Sequence, residues 1–89
     1  MELIKAFESE KIVLIQDLEN ETIYIIYSSY GKQEKVKIIN YGIFSLDINY
    51  IILCIKELMK EEPQEQYLKT IEELKESDFF VQLMEFEND

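Results

Sequence analysis

The hydrophobic pattern of this chain changes period once, near residue 45, and that change does most to limit the folds open to it. Before it, short β-branched runs recur between clusters of turn residues, as strands do. After it, apolar residues return every third or fourth position, as helices do. Ile12-Val13-Leu14-Ile15 opens a strand ending near Asp17, and Glu19-Asn20-Glu21 makes a turn before Thr22-Ile23-Tyr24-Ile25-Ile26-Tyr27. Ser28-Ser29-Tyr30-Gly31-Lys32 supplies the next turn, and Lys35-Val36-Lys37-Ile38-Ile39 resumes the sheet. Leu3 to Phe7 reads as a further strand closed by Glu8-Ser9-Glu10, with a short helix as the alternative. Connections this short favour antiparallel neighbours. Lys35 and Lys37 share one side of their strand, so that side is wet or at a sheet edge.

In the second half, Ser45 or Asp47 can cap a first helix, and Asp47 also suits the positive end of its dipole. Ile48, Ile51, Ile52, Ile55, Leu58 and Met59 then fall in a sector about 120° wide. Asn49, Lys56, Glu57 and Lys60 lie opposite. Tyr50 and Leu53 also fall on that polar side, and one buried face does not account for them. Pro63 fits the first turn of a second helix, whose apolar stripe is Tyr67, Leu68, Ile71 and Leu74. The apolar face changes after Ser77, which predicts a break there and a third short helix over 79–84 capped by Ser77. A terminal strand over 79–86 is the alternative. The fold expected is α+β: a three- or four-stranded antiparallel meander followed by two or three C-terminal helices packed on one face.

At 89 residues the chain is one domain, residues 1–89, and its 14 isoleucines are enough for a core without disulfides or metal. The longest apolar run, Tyr50 to Ile55, is far short of the ~20 residues that span a bilayer. No basic segment followed by a long apolar stretch opens the sequence, so a cytoplasmic location without a membrane partner is expected. Cys54, the only cysteine, sits in an apolar run and reads as a buried thiol.

The ionisable set is one-sided. There are 19 carboxylates against nine lysines, with no histidine and no arginine, for a formal net charge of -10. The commonest proton-transfer group near neutral pH is therefore missing. So is the guanidinium fork that grips phosphate. Gly31 and Gly42 stand alone, so no glycine-rich phosphate loop exists. No metal-binding loop or catalytic constellation stands out, and no catalytic residue, metal or cofactor is expected. The chain should bind rather than catalyse.

The excess charge lies mostly in the helical half, with a net of -8 after residue 45 and -2 before it. On the second helix Glu65, Glu72, Glu73 and Glu76 project opposite the apolar stripe, with Glu61 and Glu62 before them and Asp78 after. Glu72 and Glu76 repel at i,i+4, at a cost of a few tenths of a kcal/mol. A ridge of one sign attracts a basic partner and speeds its encounter. Direct nucleic-acid binding is disfavoured, because an acidic body repels phosphates. Tyr30, in the turn beside Gly31, is a candidate exposed anchor.

In size, acidity and lack of catalytic groups the chain resembles small phage-encoded inhibitors of nucleases and defence systems, some of which mimic DNA. It is equally similar to immunity proteins that neutralise nuclease toxins. Both resemblances rest on bulk properties and carry over no site residues. They imply a non-enzymatic inhibitor of a basic, nucleic-acid-binding protein such as a nuclease. A small structural homodimer, with Tyr50 and Leu53 as its seam, is the reading from a different class.

Overall fold

A computed structural model describes residues 4–29, 31, 33–42 and 46–87. Among these, four strands form one antiparallel sheet in the order β1-β2-β3-β4: β1 (Ile4–Glu8), β2 (Ile12–Asp17), β3 (Thr22–Tyr27) and β4 (Lys35–Asn40). Three helices follow: α1 (Ile48–Leu58), α2 (Gln64–Lys75) and α3 (Asp78–Glu87). The α+β meander is therefore present, with four strands and three helices. Tyr30 and Ser45 lie outside the described residues.

Local chemistry closes the hairpins. The Asp17 carboxylate accepts from the Asn20 backbone N–H at 3.2 Å and its side-chain amide at 2.7 Å, a turn that leads β2 into β3. Glu21, with φ of 51°, supplies the left-handed step that a tight hairpin needs. Between β1 and β2, Ser9 donates its N–H to the Ile12 carbonyl at 2.8 Å while its hydroxyl accepts the Ile12 N–H at 3.2 Å.

Register then decides which side chains meet. Phe7 lies opposite Leu14, Leu14 opposite Ile25, Ile12 opposite Tyr27, and Gln16 opposite Ile23. All of these are buried under the helices. α1 packs over β3, α3 over β1, and α2 docks on α3. Ile51, Ile55, Met59, Leu74 and Leu83 complete the core. Gln16 would be a costly buried amide, but its Nε2 donates to the Tyr41 hydroxyl at 3.2 Å.

The helix ends follow the sequence signals. Asp47 caps α1, its carboxylate accepting from the N–H groups of Asn49 at 2.9 Å and Tyr50 at 3.4 Å. Pro63 sits one residue earlier than expected, at the N-cap of α2 rather than inside its first turn, and offers its carbonyl to the Gln66 N–H at 3.0 Å. The Ser77 hydroxyl accepts the Phe80 N–H at 3.1 Å and so starts α3. The terminal-strand alternative for 79–86 therefore fails: Phe79 and Leu83, four residues apart, are both buried, as one face of a helix requires. α3 is also longer than the expected 79–84.

One expectation needs correction. Leu68 does not join the buried stripe of α2; it lies about 120° around the helix from Leu74 and is exposed. Lys35 and Lys37 lie at a sheet edge, as expected, and both are exposed. They oppose Tyr27 and Ile25, so they project on the helix-covered side, at its margin on the edge strand β4. The uncovered side instead carries Val13, Ile15, Tyr24, Ile26, Val36 and Ile38, of which Val36 and Ile38 are 51% and 53% exposed.

Candidate functional site

The acidic residues singled out by sequence divide into two groups. The Glu62 carboxylate is turned inward at the α1–α2 junction, where it accepts from the Tyr27 hydroxyl, from the Ser29 hydroxyl at 3.1 Å, and faces the Lys11 ammonium at 4.0 Å. Burial first, and the Glu62 carboxylate second, push the Tyr27 phenol pKa above its ordinary value. Glu62 is thus a tether between the helical layer and the strand ends. Glu61 stays in solvent with its carboxylate 4.0 Å from the Lys35 ammonium, a pair both of whose side chains are more than half exposed. Such a pair contributes little to stability.

The second group is the ridge itself. Glu65, Glu72, Glu73 and Glu76 are all exposed, and Asp78 is exposed in the first turn of α3. At 100° per residue Glu65, Glu72 and Glu76 share one stripe, Glu73 flanks it, and buried Leu74 lies opposite. Lys69 falls within the stripe and lowers its net charge. Among the described residues, the ion pairs join Glu62, Glu61 and Glu57 to Lys11, Lys35 and Lys60, so none of them draws on α2. Glu72, Glu73 and Glu76 crowd the negative end of the α2 dipole, a destabilising placement. Glu76 and Asp78 are offset in part by the N-terminus of α3, whose dipole favours negative charge.

Tyr50 and Leu53 point away from the core and are 44% and 61% exposed; no part of the described chain closes over them. With Lys37, Cys54, Glu57 and Leu58 they line a depression of about 280 Å³ between α1 and β4. The Lys37 ammonium stands 6.0 Å from the Tyr50 ring centroid, within cation–π range. That volume is below the roughly 300–1,000 Å³ of most small-molecule sites. Cys54 lies buried at its floor.

Among the described residues no group of three histidine, cysteine, aspartate or glutamate side chains is placed to hold a metal ion. No helix there is long and apolar enough to cross a membrane. The uncovered sheet face was not among the sequence-derived candidates. Its signal was in plain view: β2 and β3 are apolar at successive positions, so both of their faces are apolar. No protein-family model matches this chain, and neither does any curated protein or solved structure.

Proposed function

We propose that this protein is a non-enzymatic inhibitor that binds a basic, nucleic-acid-binding protein through the acidic face of α2. The observation that supports this reading is the glutamate stripe, exposed along the helix and outside the ion pairs of the described residues. From Glu65 to Glu76 the helix rises roughly 16 Å, and four glutamates less Lys69 leave about one net charge per 5–6 Å of axis. One strand of DNA carries a phosphate charge about every 3.4 Å, and a duplex about every 1.7 Å. The stripe therefore carries somewhat more than half the linear charge of a single nucleic-acid strand. Carboxylates in that arrangement stand in for phosphates in a groove lined by lysine and arginine.

The test uses a target captured on the immobilised protein and identified by mass spectrometry. Single-stranded DNA should displace the protein from that target, and association should slow as salt rises. Replacing Glu65, Glu72, Glu73 and Glu76 together by glutamine should slow association about tenfold or more at low ionic strength. A captured partner whose on-rate is the same for wild type and variant, and which DNA does not displace, would sink this reading.

A further inference from the structure

The side of the sheet that the helices leave bare is apolar across two adjacent cross-strand rows. One row runs Ala6, Ile15, Tyr24, Ile38; the next runs Glu8, Val13, Ile26, Val36. Lysine is absent from both rows. Of the two acids on this face, Glu8 lies on the edge strand β1 and Asp17 at the end of β2, so both are at the perimeter. Thr22 and Asn40, which share an end row with Asp17, satisfy each other through a 2.8 Å hydrogen bond. An apolar sheet face of this kind on a water-soluble body marks an interaction surface. Strands apolar on both sides are those buried on both sides.

We propose that this face is the interface of a homodimer, in which a second copy of the chain lays the same face against it. Charge selects that occupant. With no cation on the face among the described residues and its two carboxylates at the rim, its centre offers nothing to steer a charged partner, whereas an uncharged apolar centre matches itself about a two-fold axis. Two bodies of net charge -10 repel one another in most orientations. In face-to-face stacking the two sheets lie between the helical layers, about 10 Å apart themselves. The acidic ridges then sit on the outside, beyond the Debye length of about 8 Å at physiological salt. Area is sufficient for a concentration-dependent pair. Strands about 4.8 Å apart that rise about 3.3 Å per residue give a flat footprint of roughly 400 Å² per copy. Two copies give roughly 800 Å² before the relief of side chains standing up from the pleat is added, which is the low end for specific interfaces and fits a weak pair. The product is a four-layer body that displays one glutamate stripe on each outer side.

Sedimentation velocity over a wide concentration range tests this. The expected mass moves from 10.7 kDa at low concentration towards twice that value at high concentration. Added salt should strengthen the pair, since it screens repulsion and favours apolar burial; the ridge–target association should respond in the opposite sense. Ile38→Lys should raise the dimer dissociation constant about tenfold or more while leaving the far-ultraviolet spectrum unchanged. Should that variant misfold, Val36→Thr, which keeps shape and β propensity, serves in its place and should weaken the pair in the same sense. Leu53→Asp should leave the dimer intact. A wild type that stays at 10.7 kDa throughout overturns the proposal and leaves the face to a different partner. A dimer broken by Leu53→Asp, or indifferent to both sheet-face variants, overturns it too and places the seam elsewhere.

Discussion

Tyr27 donates its phenolic proton to the Glu62 carboxylate across 35 positions of sequence, joining the end of β3 to the loop between α1 and α2. Both groups belong to a small polar knot completed by Ser29 and Lys11 at the margin of an otherwise apolar core. Its effect on stability has a definite sign in pH. The folded phenol titrates above its ordinary value of 10.0, because burial and the neighbouring carboxylate disfavour phenolate. The unfolded phenol ionises first, so the stabilisation is fully present below about pH 10 and is lost as pH rises through the folded value. Urea midpoints should therefore fall between about pH 9 and pH 11, and Tyr27→Phe should flatten that decline. At neutral pH the same variant should cost about 1.5–3 kcal/mol, the usual loss for a hydrogen bond to a charged group. An unaltered alkaline slope in Tyr27→Phe would assign the decline to other groups.

Ile55 lies fully buried in α1, in the core cluster that joins the helices to the sheet. Ile55→Ala should cost about 2–5 kcal/mol in urea melts, the range for truncations that leave a cavity. A loss under about 1 kcal/mol would mean that the helices collapse onto the space far more readily than packed cores do.

Leu53 is the converse case. Its exposure within the chain leads us to expect that Leu53→Asp changes stability by no more than about 0.5 kcal/mol. Differential scanning calorimetry at low protein concentration reads this directly. A larger loss would show that another surface covers α1 there.

The fourfold glutamine variant of α2 should fold at least as well as wild type. It removes the Glu72–Glu76 repulsion and relieves negative charge at the helix C-terminus, each worth a few tenths of a kcal/mol. A thermal midpoint equal to or slightly above wild type, together with slower target association, would separate binding from folding. A lowered midpoint would mean that the stripe contributes to stability in a way its exposure does not suggest.

Strand and helix positions were legible because their signals were local. Thr22 to Tyr27 was bounded by turn residues on both sides, and Asp47 and Ser77 had the side chains that helix starts require. What the sequence hid was relational. Lys35 and Lys37 read as a side that is wet or at an edge, and only the pairing of Tyr27 with Lys35 and Ile25 with Lys37 shows that this edge position belongs to the helix-covered side. Glu61 and Glu62 looked like part of one acidic run. Only the return of β3 beneath the α1–α2 loop turns Glu62 inward while its neighbour stays out. Leu68 fitted an apolar stripe by type, but the buried face of α2 centres on Thr70, Ile71 and Leu74. The bare face of the sheet could have been read from β2 and β3, whose residues do not alternate in polarity.

The two lysines of β4 have a consequence for how far the sheet can extend. β4 is an edge strand, with backbone donors and acceptors along its free side, and β3 beside it is a short isoleucine-rich strand of the type that stacks into cross-β fibres. A fifth strand added there in register would bring its own side chains alongside two ammonium groups at alternate positions, and another copy of β4 would bring like charge against like. Lysine on an edge is a common barrier to such growth. Lys35→Val with Lys37→Val would leave net charge more negative and the core untouched, yet it would remove the barrier where templating begins. The charge that guards the β4 edge is thus local, two cations on an acidic body, and the overall acidity does not supply it.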